Sequence, residues 1–152
     1  MIPISSKIAS FLRKQKIAVI STFNGEGKIH CSVKGILGVD EKGKMCLIDL
    51  YYNKTYENLK KNPKSSITVV DEEKFIGYTL QGQAHIVPKD SIEPRLLDHW
   101  EERMLERISK RVIDGVQSGK KTSSHHEARL PRKPKYLIEL QVENIIDLSP
   151  SV

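Results

Sequence analysis

The residues with the most chemical promise lie in one short polar stretch, "YYNKTYENLKKNP" at 51 to 63. Lys54 and Thr55 stand together at the head of what should be a short helix. Asn53 precedes them in the N-cap position, and Asn62-Pro63 ends the helix because the residue before proline is pushed out of the α region. The first N–H groups of a helix have no intrahelical acceptor, and the helix dipole is positive at that end. Together with the Lys54 ammonium and the Thr55 hydroxyl they would converge on one point suited to a phosphate. A capped surface helix with solvated lysines carries the same residues, so the pair gains meaning only from what positions it.

Other reactive types are scattered rather than grouped. His125 and His126 are neighbours in a polar loop without the spacing of metal ligands and without a nearby cysteine or carboxylate set, so no metal site is expected. Cys31 pairs with no base in sequence and is expected on the apolar face of its strand, opposite to His30, and no Ser-His-Asp set or pair of carboxylates can be read. His30 stands on the open side of its strand, where a ligand or water could meet it.

The elements that must position Lys54 and Thr55 are mostly strands. "IAVISTF" (17 to 23) is β-branched, "NGEG" is a hairpin turn, and "KIHCSVKGILGV" (28 to 39) alternates, with Ile29, Cys31 and Val33 expected toward the core and His30, Ser32 and Lys34 away from it. "DEKG" turns the chain into "KMCLIDLY" (44 to 51), apolar almost throughout. "SSITVV" (65 to 70) and "FIGYTLQGQAHIV" (75 to 87) read as an antiparallel pair, in which Gly77 and Gly82 suggest bulges or a close backbone approach. "KYLIELQVENIIDL" (135 to 148) is a last strand, with Tyr136, Ile138, Leu140 and Val142 on one face. A short first helix is signalled by Ser5 or Ser6 as N-cap with Ile8, Phe11 and Leu12 on one side. A long amphipathic helix near 91 to 118 carries Ile92, Leu96, Trp100, Met104, Ile108 and Val112 every four residues, and Gly115 and Gly119 are expected to end it.

The expected fold is therefore mainly β, six antiparallel strands in a small curled sheet or barrel with added helices, in one domain over residues 1–152. The composition, 38% hydrophobic and 29% charged, fits a globular chain. No apolar run approaches the roughly 18 residues of a membrane span, and "MIPISSKIASFLRKQK" lacks the core and cleavage site of a secretory signal, so the reading is cytoplasmic, without membrane. Two cysteines, Cys31 and Cys46, are too few for a disulfide framework and are expected as buried thiols. The net charge of +6 is concentrated in a basic loop at 119–135, where six lysines and arginines face Glu127 alone. The near-neutral remainder argues against a broad nucleic-acid surface, and the loop holds no aromatic residue for base stacking.

The order of these segments, with "HCSVKG" on the second strand, "NKTYENLKKNP" after the third and "LQGQAHI" on the fifth, resembles the FMN-binding split barrels of the pyridoxamine 5'-phosphate oxidase-like superfamily, including its small FMN-binding proteins. The resemblance covers roughly residues 5 to 87 and the last strand. It implies a six-stranded antiparallel split β-barrel with FMN as cofactor, with Lys54 and Thr55 on its phosphate, Ser32, Val33 and Lys34 beside the ribityl chain and isoalloxazine, and Asp49 and Leu50 in the same groove. It also implies a homodimer with the flavin at its interface, near Gln81 and Gly82. Oxidases acting on pyridoxamine phosphate carry a basic pair at this helix start and a C-terminal arginine-histidine pattern. This chain departs from both, with Lys54-Thr55 and "HEARLPRKPKY". The function these signs imply is an FMN-dependent oxidoreductase passing electrons or hydride, with Lys34 as candidate for a charge near the ring. Related barrels bind haem or a deazaflavin instead. From another class, the basic loop could serve a module that binds anions or nucleic acid without catalysis.

Overall fold

Two hairpins of the same chemistry begin the barrel. Strand β1 (Ile17–Phe23) turns into β2 (Ile29–Val39) through Asn24, whose Oδ1 accepts the N–H groups of Glu26 and Lys28, both at 2.9 Å. Before β3 (Met45–Asp49), Asp40 Oδ1 does the same for Lys42 at 2.9 Å and Lys44 at 2.8 Å. The left-handed position falls in both on the glycine three residues along, Gly27 at φ 76° and Gly43 at φ 78°. Strands β4 (Lys64–Asp71), β5 (Ile76–Pro88) and β6 (Tyr136–Asp147) complete the set.

The computed structural model describes residues 1–118 and 133–151 and divides into two compact units, Met1–Ser91 with Pro134–Val152, and Ile92–Lys133. In the first unit the six antiparallel strands close in the order β1-β2-β3-β6-β5-β4, with β1 pairing with β4 at Val19 to Ser21. The fold is thus the mainly β, six-stranded barrel that the segment pattern predicts. Its interior holds Ile20, Leu47, Ile67, Leu80, Ile138 and Leu140, all fully buried. Each such side chain contributes roughly 1.5–3 kcal/mol through the area it removes from water. Helix α1 (Ser6–Lys14) is capped by Ser5, whose Oγ accepts the Ile8 N–H at 3.3 Å. It packs Phe11 edge-on against Tyr78, with ring centroids 5.2 Å apart.

Strand β2 changes partner halfway, and this fixes where a site can form. Residues Ile29 to Gly35 pair with β1, whereas pairing with β3 covers only Gly35 to Val39, across a bulge between Ile36 and Gly38. The first half of β2 therefore has a neighbouring strand on one side only. Helix α2 (Lys54–Lys61), between β3 and β4, is anchored by a buried hydrogen bond from Asn58 Nδ2 to Thr22 Oγ1 at 3.0 Å. The Asn58 carbonyl also accepts the N–H of Asn62 at 2.8 Å, and the helix stops there because Asn62, which precedes Pro63, is extended at φ −141° and ψ 111°.

The faces of β2 are the reverse of the sequence-based expectation. Ile29 and Val33 are 68% and 59% exposed and Cys31 is exposed, while His30 and Ser32 are half-buried and Lys34 is buried. The inward parity of β2 is set further along, at Ile36, and a strand's side chains alternate without choice. In its first half the inner face meets polar groups near α2 rather than the apolar interior. The expected pair of buried thiols is accordingly reduced to Cys46.

Gly82 does mark a close approach. It sits at a register shift between β5 and β6, and a Cβ there would lie 1.9 Å from the Gln141 carbonyl oxygen. In the second unit, α3 (Pro94–Ser118) runs through Gly115 rather than ending at it. One glycine costs a helix about 1 kcal/mol, too little to stop an element of 25 residues. No described helix is long and apolar enough to cross a membrane. The basic loop expected at 119–135 lies, except for its last three residues, outside the described residues.

Candidate cofactor site

A cleft of about 630 Å³ opens where the half-paired part of β2 meets the start of α2. Its walls are His30, Ser32 and Lys34 on one side and Tyr52, Asn53, Lys54, Thr55 and Glu57 on the other. The volume is within the range of roughly 300–1,000 Å³ usual for small-molecule sites.

At the helix end of the cleft, Asn53 occupies the N-cap position but its side chain makes no capping hydrogen bond. The first N–H groups of α2 thus receive no acceptor from the cap residue and none from within the helix. Lys54 is exposed beside them and has no ion-pair partner among the described residues. Thr55 is fully buried, and its Oγ1 lies 2.7 Å from Ser32 Oγ. Two hydroxyls bring two hydrogens and their mutual bond uses one, so one O–H remains to donate elsewhere. Free N–H groups, an unpaired ammonium and a spare hydroxyl donor form a set that fits a phosphate. Glu57, in the first turn of α2, adds a carboxylate to the same cleft lining.

Deeper in the cleft the charges cancel. Lys34 Nζ lies 2.6 Å from Asp49 Oδ2, with side chains only 7% and 3% exposed. The Tyr136 hydroxyl donates to the same oxygen, and Asp49 Oδ1 accepts the Tyr51 N–H at 3.2 Å. Burial first, and then this hydrogen bond and the Asp49 charge, pushes the Tyr136 phenol well above its ordinary range. Tyr136 therefore remains a donor that holds Asp49 in place. The lysine that sequence position marks as a charge near a ring is instead one half of a buried ion pair.

Of the residues singled out by sequence, Ser32, Lys34, Lys54 and Thr55 line this one cleft, with Asp49 beneath Lys34. Val33, between two of them, points outward, and Leu50 is half-buried outside the cleft's walls. Gln81 and Gly82 line a different cleft of about 420 Å³ with Ser21, Phe23, Ile29 and Ser66, where Gln81 Oε1 accepts from Asn144 Nδ2 at 3.0 Å. Tyr52 and the Tyr136 hydroxyl are the participants that sequence reading passed over. Tyr136 meets Asp49 only because β6 pairs with β3 in the register Asp49 opposite Tyr136, across 87 residues of chain.

A third group gathers Asp40, Cys46 and Glu139, whose ligand-type atoms lie within 4.8 Å of one another. A cation already serves it, since Lys44 Nζ is 3.1 Å from Glu139 Oε2. Burial, with Asp40 and Glu139 adding to it, pushes the Cys46 thiol up to about 12.

A closed six-stranded antiparallel barrel with a polar cleft along its half-paired strand is the architecture of the split β-barrel proteins. Within that class, the chain belongs to the pyridoxamine 5'-phosphate oxidase family, whose model matches residues 4–147. No curated protein sequence matches it. Among solved structures, HupZ of Group A Streptococcus superposes with a TM-score of 0.63 at 18% identity, covering 98% of this chain and 97% of that one. The conserved hypothetical protein Rv2991 of Mycobacterium tuberculosis gives 0.60 at 15% identity, covering 100% and 92%. HutZ, the haem storage protein of Vibrio cholerae, gives 0.55 at 18% identity, covering 95% and 94%. At these identities the likeness is one of fold.

Proposed function

We propose that the protein binds FMN, with its phosphate at Lys54 and the Ser32–Thr55 hydroxyl pair, and acts as an FMN-dependent oxidoreductase in the form of a homodimer. The observation that carries the reading is the uncapped start of α2, where an unpaired Lys54 and a spare hydroxyl meet. Family membership supports a cofactor of this kind. Bound flavin would supply hydride or electron transfer. The chain's own part is to hold the phosphate at Lys54 and to present the Lys34–Asp49 pair as a dipole rather than a net charge. Gln81 and Gly82, on the outer cleft, are assigned to the neighbourhood of the dimer interface. Lys54→Ala should weaken FMN about tenfold or more and riboflavin little, because only FMN carries the phosphate. Equal loss for both, measured by equilibrium dialysis, would remove Lys54 from the role.

One further reading has an observation in its favour. His30 stands in the same cleft with a ring nitrogen to offer, and one structural relative is a haem storage protein. Absorption spectra after incubation with FMN or with haem separate the two, by flavin bands or a shifted Soret band retained through gel filtration.

A further inference from the structure

We propose that Tyr52 is a preorganised stacking platform, so that the cleft selects ligands in which a planar aromatic ring system is joined to an anionic group. The proposal rests on the FMN reading above and adds a residue to it.

Tyr52 is 56% exposed, yet its position is defined from several sides. Its hydroxyl donates to the Lys135 carbonyl at 3.3 Å. Its ring stacks on that of Tyr136, with centroids 5.6 Å apart and planes 15° from parallel. Tyr56 meets it edge-on at 4.7 Å and 70°. Tyr136 is itself fixed through its hydroxyl on Asp49, which also holds Lys34. The exposed ring is thus backed by a buried network rather than swinging on its own bond. Part of what remains open forms a wall of the cleft, two residues ahead of Lys54.

Two physical consequences follow. A ring already held in place loses little conformational freedom when a ligand arrives, so more of the stacking free energy appears as affinity. The cleft is also divided by chemistry. Lys54 and the helix start offer positive charge, whereas the region near Tyr52 offers a π face, with the Lys34 and Asp49 charges cancelled nearby. A bare sugar phosphate satisfies one half of that pattern, and a ring joined to a phosphate satisfies both. Aromatic stacking on a ring-bearing ligand is worth roughly 5- to 150-fold in affinity, on the scale measured for bases on protein aromatics.

The test uses the full-length protein, titrated with FMN and separately with ribose 5-phosphate, for wild type, Tyr52→Phe and Tyr52→Leu. Leucine keeps apolar bulk against Tyr136 but has no π face, and the ring-free ligand reports whether the phosphate end is intact. The expected result is FMN weakened about tenfold or more in Tyr52→Leu and within about threefold of wild type in Tyr52→Phe, with ribose 5-phosphate unchanged in both. A second readout is flavin emission, quenched by a stacked tyrosine and recovered in bound FMN on Tyr52→Leu. Equal FMN affinity and equal quenching in wild type and Tyr52→Leu overturn the platform and leave the FMN reading standing. No FMN binding by any of the three proteins overturns the FMN reading, and the platform with it. Loss of both ligands in Tyr52→Leu overturns the platform in favour of a purely structural ring.

Discussion

Replacing Asp49 with asparagine tests the buried charge pair at the floor of the cleft. Lys34 Nζ and Asp49 Oδ2 are 2.6 Å apart, with side chains 7% and 3% exposed. At an effective dielectric of about 20, their direct attraction is about 6 kcal/mol, an upper limit that desolvation reduces. Removing one member strands the other, at about 3–5 kcal/mol in known buried pairs. Asp49→Asn leaves an ammonium in the floor without a counterion, and the Tyr136 hydroxyl must then compete with Lys34 for one amide oxygen. Against a total stability of roughly 5–15 kcal/mol, a loss of about 3 is large. Lys34→Met should cost less, about 1–2 kcal/mol, because Asp49 keeps the Tyr136 hydroxyl and the Tyr51 N–H. Urea unfolding of the two single variants and the double, followed by far-ultraviolet circular dichroism, completes a cycle in which the double is less destabilised than the sum by about 2 kcal/mol. An Asp49→Asn protein within about 1 kcal/mol of wild type, or strictly additive losses, would refute the argument.

Further outcomes are fixed by other contacts. Gly82→Ala places a Cβ 1.9 Å from the Gln141 carbonyl oxygen, a backbone atom that cannot rotate away, and should cost about 3 kcal/mol or more or prevent folding, as read by expression and thermal melting. A melting temperature equal to wild type would mean that β5 and β6 separate there without penalty. The folded protein keeps the proton on Cys46 up to about pH 12, whereas the unfolded chain releases it near 9. Stability from this group is therefore complete below pH 9 and declines by about 1.4 kcal/mol per pH unit above it, until the folded thiol ionises. The difference between wild type and Cys46→Ala, measured by urea unfolding at about pH 8 and about pH 10.5, should shrink at the higher pH.

The strands were legible because their alternation, turn residues and β-branched content are local. Asn24 with Gly27 and Asp40 with Gly43 announce their hairpins within five residues each. The start of α2 was equally local, and Lys54, Thr55 and Ser32 do share a cleft. The inward face of β2 was not local: it depends on Ile36, a bulge and the polar neighbourhood of α2. Likewise, the neutralisation of Lys34 needs Asp49 from β3 and Tyr136 from β6. A sequence shows each of these groups alone, and its charge then looks available when the fold has already committed it.

The half-paired stretch of β2 has a consequence for the timing of local opening. Amide exchange with solvent is slowest where a strand is held on both sides, as β5 is by β4 and β6. Residues 29 to 34 of β2 are held by β1 alone, so their outward-turned N–H groups should exchange early, well before global unfolding. A ligand seated in the cleft would slow that exchange while leaving β5 and β6 unchanged. Occupancy of this protein is therefore written in the exchange rates of one short strand segment.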